Sequence, residues 1–203
     1  MSLRMTRSSI GVFLVCVLLL AGGCDDRSEY DKLVEKEMAR GVTYNRLFLG
    51  YELGMAKEAF YDHSWALNRQ GLVMQGPQNQ TVQYELDDDL PHPAKMYFYP
   101  EFYEDKVFQM RVQFIYDGWA PWNKELWSDS LQLDVVDLFR AWYGEGFIEH
   151  GATRDFFGEH VEYVKVDGNR RIVVAKHTDQ EVVAVFTDLV AEKAIEDEQD
   201  DEV

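Results

Sequence analysis

A chain of 203 residues, 46% of them hydrophobic, is long enough to bury one sizeable core or two small halves. Its 37 acidic residues against 20 basic ones give a formal charge of −17. A surface of that sign repels phosphate backbones and anionic lipid heads, so a nucleic-acid partner is excluded. The excess fits solubility or adaptation to high salt, with binding of a basic partner or of cations as the alternative.

The first element is an export signal. Arg4 and Arg7 precede eleven apolar residues, 10–20, which as a helix rise about 16 Å against the ~30 Å of a membrane-spanning segment. The run Leu18-Leu19-Leu20-Ala21-Gly22-Gly23-Cys24 follows. It resembles the lipobox of bacterial lipoproteins, with Ala21 standing where Leu is usual. The resemblance implies removal of residues 1–23, a diacylglycerol thioether on Cys24 and acyl chains such as palmitate on the new amine. The alternative is an ordinary secretory signal with a chance cysteine.

Cysteine usage agrees with the lipobox: Cys16 leaves with the signal, and Cys24 is then the sole cysteine. Each buried lipid methylene contributes about 0.8 kcal/mol, so two or three chains hold a protein on a membrane almost permanently. Loss of Arg4 and Arg7 takes the formal charge from −17 to −19. The expected location is the cell envelope, on a membrane through the lipid of Cys24. Asp25 and Asp26 leave the membrane open, because acidic residues there accompany inner-membrane retention in some bacteria and surface display in others.

Residues 24–27 form the tether, and the three residues after Cys24 reach about 10–15 Å at full stretch, which keeps the domain near the membrane. Ser28 reads as an N-cap with Asp31 three residues on. Tyr30, Leu33, Val34 and Met38 recur at helical spacing, and Gly41 is the stop. Gly54-Met55-Ala56-Lys57-Glu58 opens a second helix with the stripe Ala56, Ala59, Phe60, His63 and Leu67, ended by Gly71. Strands over 81–86, 95–99 and 107–116 follow, the last alternating Met110, Val112, Phe114 and Tyr116 on one face.

The order then repeats. Ser128 or Asp129 caps a helix with Leu131, Val135, Leu138, Phe139 and Trp142 on one face, and Gly144 closes it. Strands over 161–166, 171–177 and 181–187 come next, with Asp167-Gly168 as a hairpin signal. The acidic end, residues 191–203, is expected to stay solvated and unfolded. A helix followed by three strands, twice, implies an α+β fold of antiparallel sheet with helices on one face. The domain spans 28–190, with possible halves 28–118 and 119–190.

The segment from Gly54 to Glu58, leading into a helix and strands, resembles the opening of the small accessory lipoproteins of outer-membrane protein assembly, with Ala56 where they carry Thr. The tandem arrangement is similar to the β-lactamase-inhibitor protein architecture. These resemblances imply binding or scaffolding rather than catalysis, although fold alone does not fix function.

Motifs of chemistry are sparse. Ser28, Ser64, Ser128 and Ser130 lie in no nucleophile elbow or Ser-x-x-Lys arrangement. Gly144, Gly146 and Gly151 lack the context of a phosphate loop. Glu149-His150 and Glu159-His160 repeat an acid–imidazole pair and make His150 and His160 weak metal candidates, although adjacent strand residues face opposite ways. His63 reads as a hydrogen-bonded core residue, and Asp87-Asp88-Asp89 as a solvated loop. Glu101, Glu104 and Asp105 are candidate carboxylates for glycoside hydrolysis, a chemistry set by separation in space. No cofactor is expected.

The best candidate surface is Trp119-Ala120-Pro121-Trp122 with Asn123 and Trp127, where indoles would stack on sugar rings or anchor a protein partner. The alternative buries them where the sheet meets the second helix. The expected function is a membrane-anchored envelope protein that binds or scaffolds an envelope protein or glycan. A carbohydrate-binding or carbohydrate-processing lipoprotein using residues 119–127 is the alternative. A metal-dependent enzyme built on His150 and His160 is the third.

Overall fold

The computed structural model of the chain describes residues 27–155 and 158–201, with residues 152–155 and 158–160 described by their backbone. Its first half holds α1 (Glu29–Ala39), α2 (Lys57–Arg69), β1 (Met74–Gln75), β2 (Val82–Leu86), β3 (Ala94–Tyr103) and β4 (Lys106–Tyr116). The second holds α3 (Ser128–Tyr143), β5 (Ile148–Asp155), β6 (Gly158–Asp167), β7 (Arg170–Lys176), β8 (Glu181–Asp188) and α4 (Leu189–Asp201). All eight strands join one antiparallel sheet in the order β1-β2-β3-β4-β8-β7-β6-β5. The fold is α+β. Within each half a helix, α2 or α3, leads into a four-strand meander, α1 and α4 lying outside these units, and the β4–β8 pair fuses the two.

The repeat has one strand per half more than the sequence pattern predicts. The added strands, β1 and β5, are the two edges of the sheet. An edge strand with little apolar burial carries no alternation to read; Met74 and Gln75 are both exposed. β3 also runs past its expected end at Tyr99, through Pro100. Pro100 lacks an N–H, but β2 pairs only with residues 94–98, so no ladder bond is lost there.

One face of the sheet carries Met96, Phe98, Val112, Phe114, Phe186 and Ile172, all fully buried beneath α2, α3 and the segment 47–53. Fully burying each such side chain contributes about 1.5–3 kcal/mol before the entropy of ordering it. A chain of ring contacts crosses the fused meanders. Phe60 lies 5.1 Å from Tyr51, Tyr51 5.2 Å from Phe98, and Phe98 5.0 Å from Phe48. Phe48 in turn lies 5.8 Å from Phe186, Phe186 5.3 Å from Phe139, and Phe139 5.8 Å from Phe114.

Two further helices lie against the opposite face, where Val164, Val166 and Val173 meet Tyr30, Leu33, Val34 and Met38 of α1 and Leu189 of α4. Ser28 caps α1 through a capping box with Asp31, as its spacing predicts. The acidic end is not unfolded: α4 runs to Asp201. Ala191, Ala194 and Ile195 favour helix, Asp188 accepts the Val190 N–H at 3.0 Å, and Glu192 pairs with Arg171. At α3 the cap differs from expectation as well. Trp127 occupies the N-cap position without a side-chain bond, the Ser128 N–H donates to the Asp179 carbonyl at 2.9 Å, and Asp129 pairs with Lys176.

The β6–β7 hairpin is gripped from outside the sheet. Its central residues are Gly168 and Asn169, with positive φ (+51°) at Gly168 alone, as the first central residue of a type II′ turn requires. Gly168 N–H donates to buried Glu37 at 3.3 Å, and Asn169 Oδ1 accepts the Tyr44 N–H at 2.6 Å. A Cβ at Gly168 would sit 1.9 Å from the Val42 carbonyl oxygen, whereas one at Gly41, also at positive φ, meets nothing within 4 Å. Gly168→Ala is therefore expected to destabilise the protein by at least about 2–3 kcal/mol in urea unfolding, and Gly41→Ala by only about 1 kcal/mol. Equal effects of the two would contradict this packing.

Candidate functional site

Helical geometry divides α2 into two stripes. Phe60, Ser64 and Leu67 turn toward the sheet, and one step round the helix Tyr61 and Trp65 remain 38% and 63% exposed. The inner stripe is fixed by the turn 48–51. His63 Nε2 donates to the Leu49 carbonyl at 2.7 Å, and Tyr51 Oη shares a 2.8 Å hydrogen bond with Ser64 Oγ. The structure thus places His63 as a structural residue. Of the expected stripe, Ala56 and Ala59 are exposed.

After α2 the chain turns at Gly71 and runs into the β1–β2 hairpin. Asn68 Nδ2 donates to the Val73 carbonyl at 3.0 Å and holds this exit against the helix. The hairpin loop 76–81 is tight: Gln78 and Asn79 both have positive φ, and a Cβ at Gly76 would lie 2.1 Å from Thr81 Oγ1. Tyr99 completes the enclosure from the stretch of β3 left free where β2 ends. Its hydroxyl is 2.6 Å from that of Tyr61, and its ring is 6.0 Å from Phe60.

Between helix and hairpin lies a groove of about 210 Å³. Phe60, Val73 and Val82 contribute its apolar lining. Tyr61, Trp65 and Tyr99 offer partly exposed rings, and Gln75, Asn79 and Gln80 bring amide groups. None of the thirteen lining residues is charged, in a chain where 28% are. Among the described residues, the side-chain amides of Gln75, Asn79 and Gln80 make no hydrogen bond within the protein. The arrangement can stack, hydrogen-bond and exclude water. Among the described residues it presents no carboxylate, imidazole, amine or thiol with which to move a proton or attack a substrate.

The residues singled out from sequence lie elsewhere and do not converge. Trp122 is 86% exposed, whereas Trp119 and Trp127 are half-buried. Trp127 Nε1 donates to the Ala120 carbonyl at 3.3 Å, and Trp119 Nε1 is buried without a partner. Asn123 opens the short turn before α3. Among the described residues none of the three indoles pairs with another.

His150 stacks on Tyr30 at 4.6 Å and joins α1 to β5. The His160 side chain lies outside the described residues, as does Cys24, and no cluster of metal-ligating side chains occurs among the described ones. Glu104 and Asp105 form the positive-φ turn between β3 and β4, and Glu101 accepts from Gln109 at 3.0 Å. All three are exposed. Asp87, Asp88 and Asp89 are likewise exposed, as a solvated loop requires. No helix among the described residues is long and apolar enough to cross a membrane.

The groove escaped sequence reasoning because its aromatic side chains sit on the outward stripe of α2 and at the end of a strand. A readable signal did exist: residues 70–84 contain no charge at all. Compared with protein-family models, curated proteins and solved structures, the chain matches none.

The hydrogen bond to Tyr61, followed by burial, pushes the Tyr99 phenol up to about 12. A raised phenol favours the folded state below its ordinary value near 10, and that contribution is lost as pH rises toward 12. Tyr61→Phe is expected to bring one tyrosinate transition down toward pH 10, measured by ultraviolet titration. An unchanged titration curve would show that the hydroxyl pair does not form in solution.

Proposed function

We propose that the chain is a lipid-anchored protein of the bacterial cell envelope that binds a ligand in the groove between α2 and the β1–β2 hairpin without transforming it. Support for the anchor comes from the lipobox ending at Cys24 and from the brevity of the tether. Ser28 caps α1, only Asp25, Asp26 and Arg27 beyond the lipidated residue. A domain so attached works within a short distance of a membrane and meets the proteins and glycans found there.

The observation that carries the binding reading is a charge-free lining with three partly exposed aromatic rings in a strongly acidic protein. Large exposed aromatic area beside apolar lining favours association. Catalysis would need a reactive group in reach. The lining hydroxyl of Ser64 already donates to the Phe60 carbonyl at 2.8 Å and has no base beside it. The second reading, glycan binding at residues 119–127, is favoured by the exposure of Trp122 alone.

Two measurements test this. Cys24→Ala should move the protein from the membrane to the soluble fraction, and the wild-type N-terminal peptide should carry a lipid mass increment. Membrane retention of the variant, with no increment on the wild type, would overturn the anchor. Envelope components retained by the wild type from cross-linked membranes should be lost with Trp65→Ala and kept with Trp122→Ala. The reverse pattern would move the site to residues 119–127.

A further inference from the structure

We infer that the groove takes a neutral sugar ring, an inference that rests on the groove being the binding site. A pyranose offers two C–H faces and a rim of hydroxyls, each of which both donates and accepts. The aromatic face, with its negative quadrupole, complements the first, and Tyr61, Trp65 and Tyr99 supply three such rings. A primary amide complements the second, because one side chain carries both a donor and an acceptor. Gln75, Asn79 and Gln80 hold theirs unspent among the described residues.

Charge decides against the other small-ligand classes. Among the described residues no cation lines the groove to meet a phosphate, sulfate or carboxylate and no carboxylate lines it to meet an amine or a metal ion, and the −17 charge of the chain repels such anions. A purely apolar ligand would leave the nearby amides facing hydrocarbon without partners. An extended peptide adding to the sheet would find only the two residues of β1.

Size points the same way. At about 210 Å³ the groove is smaller than the ~300–1,000 Å³ of drug-sized pockets, which suits one ring. It opens to solvent, so a longer saccharide can leave it. The Tyr61–Tyr99 hydrogen bond and the tight loop 76–81 hold the walls before any ligand arrives, which lowers the ordering cost of weak stacking contacts.

The test uses the full lipidated protein in a detergent without a sugar headgroup. Neutral oligosaccharides of gluco, galacto and manno configuration are titrated by calorimetry, beside uronate-containing oligosaccharides and a proline-rich peptide. At least one neutral oligosaccharide should bind, and Trp65→Ala should weaken it about tenfold or more, a loss of about 1.4 kcal/mol or more. Gln80→Ala should also weaken it, Trp122→Ala should not, and circular dichroism should show all three variants folded. Absence of binding by every neutral sugar, or equal binding of uronates, overturns the inference. If only the proline-rich peptide binds, in a Trp65-dependent way, the sugar is wrong and the groove stands as the site. If a sugar binds independently of Trp65 and is lost with Trp122→Ala, the groove reading itself falls.

Discussion

The two halves of this protein depend on the aromatic layer that crosses the β4–β8 seam, with Phe48 at its centre. The β4–β8 ladder joins the meanders through backbone bonds, but a ladder fixes strands and not the layer of helices above them. Phe48 supplies one connection above the ladder, with Phe98 of the first half at 5.0 Å and Phe186 of the second at 5.8 Å, and Phe139 of α3 against Phe114 of β4 at 5.8 Å supplies another. Phe48 sits in a turn that is expensive to form, since Leu49 holds a positive φ of 50° without being glycine. The His63 hydrogen bond to the Leu49 carbonyl offsets that strain, and Tyr51, two residues on, docks under α2. The groove inherits its shape from this arrangement, because the residues that hold the turn also set the rotation of α2 that leaves Tyr61 and Trp65 outward.

A second fixed point lies at the other end of the sheet. Asp167 bridges Lys165 at 2.8 Å and Arg170 at 2.9 Å, both cations being nearly buried, and Arg170 lies 4.6 Å over the Tyr143 ring. Such a cluster contributes little net stability against its hydrophobic equivalent, because its desolvation cost is large. It imposes specificity of geometry instead. Together with Glu37 and Asn169 it leaves one seating for α1 and the segment 42–46 on the hairpin. The buried hydroxyl of Tyr143 is held protonated, pushed far up by burial against the opposing influence of Arg170 and Arg46.

How much of this was legible depended on what each residue buries. Met110, Val112, Phe114 and Tyr116 alternate because one face of β4 is core, and Ser28 with Asp31 announces α1 because the capping box is local. β1 and β5 left little trace, since edge strands are specified by their neighbours more than by their own pattern. The tail was misread because six acidic residues outweighed Ala191, Ala194 and Ile195, while the docking of Leu189 and the Glu192–Arg171 pair are tertiary facts. At the site, the eye goes to the densest run of tryptophan. Yet Trp119 and Trp127 turn partly inward at the junction of sheet and helix, and the rings that line the groove come from two places, Phe60 to Trp65 on α2 and Tyr99 on β3, more than thirty residues apart.

The order of strands also has a mechanical meaning. α1 packs on β6, and the groove lies beside β1 at the far edge, six strand spacings or roughly 29 Å away. If the proposed anchor holds α1 and a ligand loads the groove, tension between them would act across the strands, with the ladders in series, so the assembly would be no stronger than its weakest joint. The β4–β8 seam is where one meander could part from the other. The aromatic chain through Phe48 spans that seam above the plane of the sheet, and so resists peeling of the two halves where backbone bonds alone would open one after another.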